Sequence, residues 1–247
     1  MKKIIYIFAI FLLLAITGFI FFKSFRGITP RATVANNSEL HEKQNFNHSD
    51  MIQLPSPDTK GKMSLEEALT LRRSIRSYTS EELTLKELSQ LLWSAQGITN
   101  ERGFRTAPSA GATFPLEMFV VANNVEQLEQ GIYHYNPFEN TLEVVHLKDV
   151  SSDLMRASLS QSMLAEGAAV LVFGAVLERT TERYGERGVR YVYNEIGHAS
   201  QNVHLQAAAL NLGTVVIGAY RDDEVENILD LDSDIRVLYM MPVGRPR

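Results

Sequence analysis

The chain has 247 residues, 45% of them hydrophobic, which leaves room for one large domain or two small ones and predicts a packed core. Its formal net charge of -5 comes from acidic and basic residues mixed along the chain, without the broad basic face that nucleic-acid binding requires, so no nucleic-acid partner is expected. The absence of cysteine excludes disulfides, thiolate metal sites, a cysteine nucleophile and an acylated lipoprotein cysteine, and leaves any redox work to a bound cofactor.

Residues 4–22 carry no charge and lie between Lys2 and Lys3 on one side and Lys23 and Arg26 on the other. Such a run matches the roughly 20 residues of a transmembrane helix. The segment 1–26 therefore reads as a membrane anchor or a signal segment. The anchor is favoured because the apolar run continues past the small residues Ala15, Ile16 and Thr17. The flanking charges are balanced, so the side of the membrane stays open. Residues 27–62 turn polar, with Pro55 and Pro57, and read as a flexible linker or as an arm that wraps a partner subunit. The folded domain is expected over residues 63–247.

Ser64-Leu65-Glu66-Glu67 has the form of a capping box, which predicts a helix to about Arg73. A second box, Thr84-Leu85-Lys86-Glu87, opens a helix whose apolar residues Leu85, Leu88, Leu91, Leu92 and Ala95 share one face, with Gly97 placed to end it. Strands are predicted over residues 116–122, 132–135 and 142–147, the last two forming a hairpin around the turn-rich residues 136–140. A helix over residues 152–165 precedes the continuous apolar run 168–177, which suits a strand buried on both faces. A long helix over residues 190–212, a buried strand at 214–217, a short helix at 223–229 and a final strand at 236–241 complete the order. Helices and strands in this sequence predict an α+β fold with a mixed sheet.

Four segments could carry chemistry. Arg72-Arg73-Ser74-Ile75-Arg76 sets three guanidiniums at a helix end, where their planar forks match phosphate oxygens; the bland alternative is a solvated basic helix end that complements the dipole. Residues 105–115 are small and bounded by Pro108 and Pro115, so the backbone could approach a flat ligand, or simply turn at the surface. Ser109 lacks the G-x-S-x-G elbow of a hydrolase. In the long helix, Ile196, Ala199, Val203, Ala207 and Leu210 form a stripe for close packing. Glu195 and His198 occur in a single E-x-x-H, and His198 and His204 face different ways, so no metal site is expected; His198 reads as an interior or interface residue. Gly218 and Gly244 sit at strand exits, where a ligand could meet the backbone, and Arg245 or Arg247 could add charge there.

Taken together, the R-R-S-x-R segment, the A-P-S-A-G-A-x-x-P-L-E loop, the G-H-A-S-Q-N-x-x-L-Q-A helix and the closing P-V-G resemble the nitroreductase superfamily, and within it the SagB-type dehydrogenase branch, over residues 64–247. The resemblance implies a nitroreductase-like homodimer with flavin mononucleotide (FMN) at the subunit interface. It implies that Arg72, Arg73, Ser74 and Arg76 hold the phosphate and ribityl chain, with Arg245 and less surely Arg247 completing the phosphate site. Pro108, Ser109, Ala110 and Gly111 would approach the flavin from the partner subunit, and Ile217, Gly218 and Ala219 would face its ring. The helix bearing His198, Gln201 and Asn202 would build the dimer core. The implied chemistry is ping-pong hydride transfer from a donor such as NAD(P)H to a small electron-poor acceptor, with no obligatory catalytic side chain. The alternatives are a dehydrogenase of azoline rings in peptides and a membrane-tethered flavin-binding protein without turnover. The azoline-oxidising branch carries a Lys-Tyr pair where this chain has Arg183-Tyr184, which leaves Tyr184 as a weak candidate proton donor.

Overall fold

The computed structural model describes residues 51–247. Seven strands, β1 (Met51–Gln53), β2 (Leu116–Ala122), β3 (Gly131–Asn136), β4 (Thr141–His146), β5 (Ala169–Val176), β6 (Gly213–Thr214) and β7 (Ile235–Gly244), form one sheet in the order β1-β4-β3-β2-β5-β7-β6. The helices are α1 (Leu65–Leu71), α2 (Leu85–Gln96), α3 (Ser151–Ala157), α4 (Met163–Glu166), α5 (Glu178–Tyr184), α6 (Arg187–Ala209) and α7 (Asp222–Ile228).

Alternation along the central strands builds two cores. Leu116, Met118 and Val120 of β2 and Leu171 and Phe173 of β5 face α2 and α6, where Leu88, Leu91, Leu92, Ile196, Ala199 and Val203 meet them. Phe119, Val121, Val170 and Val172 point to the opposite face, against Leu154 of α3, Leu164 of α4 and Val225 of α7. Because helices cover both faces, all eight residues of β5 are buried. Each fully buried leucine of α2 contributes about 1.5–3 kcal/mol by leaving water. The Thr84–Glu87 capping box is formed in both directions and fixes where α2 begins. Ser64 caps α1 by accepting from the Glu67 N–H. At Gly213 a Cβ would meet the Ile75 side chain at 2.7 Å, so the segment after α1 can press against β6 only because that residue is glycine.

Several expectations change. The mixed sheet is instead antiparallel along every ladder; parallel pairing is confined to the isolated bridges Ser74–Thr214 and Leu83–Val125. The single helix expected over residues 152–165 is split into α3 and α4, because Leu159 and Ser160 take positive φ angles of 58° and 60°. The strand expected at 214–217 shrinks to Gly213–Thr214 plus one bridge from Ile217 to Met240. Within the stretch expected as a linker, Met51–Gln53 pairs with β4 and Leu54 is buried, so the ordered domain starts before residue 63. Residues 27–50 of that stretch, and the anchor expected over residues 1–26, lie outside the described residues. Among the described residues no helix is long and apolar enough to cross a membrane.

Candidate functional site

The arginine segment leaves α1 at Arg72, whose N–H still donates to the Ala68 carbonyl at 2.9 Å. Ser74 then bridges Thr214, and the Ile75 N–H donates to the Thr214 carbonyl at 2.9 Å, which fixes the segment along β6. Arg73 turns back onto its own helix end, donating to the carbonyls of Thr70 and Arg72 at 2.8 Å each. That is the helix-end role foreseen as the bland reading, and it holds for this residue alone. Arg72 and Arg76 make no ion pair with a described residue. Next to them two buried polar atoms, Thr214 Oγ1 and His204 Nδ1, have no partner within the protein. Burial, and then the positive charge of Arg72, push His204 down to about 4, so its imidazole is neutral at physiological pH. Uncompensated guanidiniums beside orphaned neutral hydrogen-bonding groups make a set that a phosphate ester would satisfy. In the sequence His204 stands out only as one of two histidines that face different ways on the long helix.

The small-residue loop is held in a left-handed conformation, with φ of 63° at Gly111, 54° at Ala112 and 45° at Phe114. For the two non-glycine residues this is strain that surrounding contacts must sustain. Those contacts come from α5 and its start. Arg183 Nη1 donates to the Gly111 carbonyl at 2.9 Å, Arg179 Nη1 donates to the Phe114 carbonyl at 3.2 Å, and the Thr113 and Thr180 hydroxyls lie 2.8 Å apart. A Cβ on Gly111 would collide with the Tyr184 hydroxyl and the Arg183 guanidinium. Pro108 and Gly111 are exposed and Ala110 is half-buried, so the loop presents backbone to the surface. The Ser109 hydroxyl accepts from the Phe114 N–H at 3.0 Å, within its own loop.

At the fourth segment Ile217 exchanges backbone hydrogen bonds with Met240 at 2.8 and 3.0 Å and buries its side chain, while Gly218 and Ala219 emerge exposed. The Arg245 guanidinium pairs with Glu87 at 2.8 Å, at the start of α2, and lies 3.9 Å from Glu81. Arg247 lies 3.8 Å from Glu166. His198 and Gln201 are exposed on α6, so the interior reading of His198 does not hold in the single chain, whereas Asn202 donates to the Thr106 carbonyl at 3.3 Å.

Behind the loop lies a charged core that the sequence did not announce. Burial alone would raise the Glu117 carboxyl, but His134 at 2.8 Å and Arg179 at 2.6 Å hold it at about 2. Burial would likewise lower His134, yet Glu117 and Glu143 lift it to about 9. Burial pushes Glu195 up to about 7 against the opposing effects of Ser109 and Arg105.

The model of the Nitroreductase family matches residues 69–245. A protein of Methanocaldococcus jannaschii assigned as a nitroreductase is 45% identical over 196 residues, spanning 79% of this chain and 98% of that one. A trifolitoxin-processing protein of Rhizobium leguminosarum bv. trifolii is 30% identical over 139 residues, spanning 54% of this chain and 37% of that one. The crystal structure of a protein from Anabaena variabilis, assigned as a nitroreductase, superposes with a TM-score of 0.71 at 32% identity; the match covers 80% of this chain and 42% of that chain. On the arginine segment, the loop and the match over residues 69–245, the chain belongs to the nitroreductase family.

Proposed function

We propose that the chain is an FMN-dependent oxidoreductase that passes electrons from NAD(P)H to a small electron-poor acceptor, such as a nitroaromatic or a quinone, in two half-reactions. The carrying observation is the set of unpaired Arg72 and Arg76 beside the orphaned Thr214 hydroxyl and His204 imidazole. These residues, with Ser74, would hold the phosphate and ribityl chain. The exposed backbone at Gly218 and Ala219 and the 108–111 loop are left for the ring. When bound, FMN supplies the hydride acceptor and donor; the chain binds it, orients it and surrounds it with fixed positive charge. A homodimer is part of the reading. Leu65, Leu69 and Leu71 on α1 and Tyr193 on α6 are all more than half exposed, an apolar surface that a second copy would cover. A membrane tether through residues 1–26 is a further part of it, resting on the uncharged run 4–22.

A second reading, oxidation of azoline rings in a peptide, is favoured by one contact. Tyr184 stands directly over the loop at Gly111, where a proton donor could meet a bound substrate. Arg183 beside it stays cationic where a lysine could exchange a proton, which weighs against this reading.

The test is the visible spectrum of the purified chain, followed by anaerobic NADH or NADPH and then a nitroaromatic. A two-banded flavin spectrum that bleaches with donor and recovers with acceptor is expected. A folded protein that is colourless and takes up no added FMN would sink the proposal.

A further inference from the structure

Glu117 is the second residue of β2, on the strand face it shares with Phe119, and pairs with Gly174 of β5. Its carboxylate is buried, which is costly for a charge unless it is paired. Both oxygens are paired: Oε2 lies 2.8 Å from His134 Nε2, and Oε1 lies 2.6 Å from Arg179 Nη1. His134 stands across the ladder from Phe119, stacks on its ring with centroids 4.7 Å apart, and is backed by Glu143 at 3.7 Å, so the imidazole is held from three sides. Replacing such a buried pair by apolar groups of the same shape is often neutral for stability. Stability alone therefore does not explain the cluster. Arg179 supplies a second reason, because the Nη1 atom that meets Glu117 also donates to the Phe114 carbonyl at 3.2 Å. Phe114 has a φ of 45°, a conformation that a bulky side chain rarely adopts. Its N–H donates to the Ser109 hydroxyl at 3.0 Å, and the Pro115 carbonyl that follows accepts from the Val176 N–H at 2.9 Å. The strained residue is thus tied at both its N–H and its carbonyl, and the tie at the carbonyl runs back to Glu117. Arg179 lies in the first turn of α5, one turn before Arg183, so a single face of that helix meets both the Phe114 and the Gly111 carbonyls.

We propose that Glu117 is a positioning residue: by fixing the Arg179 guanidinium it holds the Phe114 carbonyl, and through it the left-handed shape of residues 111–114 that presents the 108–111 backbone to a ligand. On this assignment His134 and Glu143 serve the loop at one remove, by fixing the Glu117 carboxylate. The assignment deepens the flavin reading and rests on it for the identity of the ligand, but the contacts from Glu117 to Phe114 stand without any ligand bound.

The test is a double-mutant cycle on the full chain, read in two ways. The first is the 15N order parameter of the Gly111, Phe114 and Gly174 amides in the flavin-free protein; the second is the dissociation constant for added FMN. Arg179→Met removes the guanidinium and keeps the stem, Glu117→Leu removes the carboxylate, and Glu117→Gln keeps an acceptor of the same shape. In Arg179→Met and in Glu117→Leu the Gly111 and Phe114 amides should fall from about 0.85 to below about 0.6, while Gly174, the partner of Glu117 on β5, stays at about 0.85. FMN affinity should drop about tenfold in each, the scale of one lost hydrogen bond to a charged group. The double variant should be no worse than either alone, because both act through one contact. Glu117→Gln should bind FMN within about threefold of wild type, and even that loss should disappear in the Arg179→Met background. Additive losses, a loop as ordered in Arg179→Met as in wild type, or a Gly174 amide that loosens together with the loop, as in a core that has simply softened, would overturn the proposal. Should Glu117→Leu fail to fold, Arg179→Met alone reports on the loop, and its combination with Glu117→Gln reports on the coupling. Loop disorder on mutation in a chain that never binds FMN would uphold the positioning role and reject the flavin reading.

Discussion

The Arg183 guanidinium donates to the Gly111 carbonyl at 2.9 Å, and this bond ties the loop of small residues to the end of α5. It forms because Gly111 has no side chain: its φ of 63° is open to glycine, and a Cβ would strike the Tyr184 hydroxyl and Arg183 itself. Gly111→Ala therefore combines backbone strain with displacement of α5. It should destabilise the protein by roughly 1–3 kcal/mol, read as a shifted urea midpoint. An unchanged midpoint would show that the loop relaxes freely and that α5 does not hold it.

Much of this arrangement could be read in the sequence, and the parts that could not share a physical cause. The start of α2 was legible because Thr84 and Glu87 satisfy each other locally, β5 because its apolar run is unbroken, and β2 because Met118 to Ala122 is apolar throughout. The 72–76 and 105–115 segments stood out by composition, and both remain in the candidate site. Strand direction was not legible, since neither β2 nor β5 carries a local mark of its partner's sense. α5 was missed because Thr180 is its one buried residue, which leaves no apolar period to detect. The engagement of Arg245 by Glu87, 158 residues apart, and the burial of Glu195 are products of tertiary packing alone.

The arginines of the 72–76 segment should separate by role. Arg72→Ala and Arg76→Ala remove charge that no described carboxylate balances, so FMN affinity should fall about tenfold or more for each while the thermal midpoint barely moves. Arg73→Ala removes a helix-end contact instead and should cost about 0.5–1 kcal/mol of stability with little change in affinity. Titration of added FMN by fluorescence quenching, alongside melting curves, distinguishes the two patterns. Equal losses of affinity for all three would assign Arg73 to the phosphate site as well.

Buried groups should give stability opposing and separable dependences on pH. Glu195 is raised to about 7 from an ordinary 4.5, so the folded state binds the extra proton and its contribution falls as pH rises from 4.5 to about 7, while His204, lowered to about 4 from 6.5, contributes the opposite change as pH rises from about 4 to 6.5. His134 is raised to about 9 from 6.5, so its contribution is complete below 6.5 and is lost as pH rises through about 9. Glu117, held at about 2, contributes above 4.5 and loses that contribution only as pH falls toward 2. Its shift and that of His134 describe one ion pair and do not add. Urea midpoints measured across this range should rise more steeply with pH between 4.5 and 7 in Glu195→Gln than in wild type, and the decline above pH 6.5 should vanish in His134→Gln. A Glu195→Gln profile parallel to wild type below pH 7, or a wild-type profile flat from pH 7 to 9, would contradict the respective assignment.

Tyr184 decides between the two substrate readings. Its hydroxyl stands over Gly111, and its ring meets Tyr191 edge-on with centroids 5.1 Å apart, so the side chain is supported from α6 as well as from its own helix. Tyr184→Phe keeps that packing and removes only the hydroxyl. If the chain reduces nitroaromatics or quinones with protons drawn from solvent, kcat for those acceptors should stay within about twofold of wild type, far less than the loss of a working general acid. If the hydroxyl moves a proton during oxidation of an azoline ring, kcat for such a peptide should fall by about a hundredfold or more, with KM and the flavin spectrum unchanged. Steady-state rates of wild type and Tyr184→Phe on a nitroaromatic and on an azoline-bearing peptide measure the difference directly. An undiminished azoline rate in Tyr184→Phe would remove the one contact that favours the peptide reading, the approach of the Tyr184 hydroxyl to Gly111.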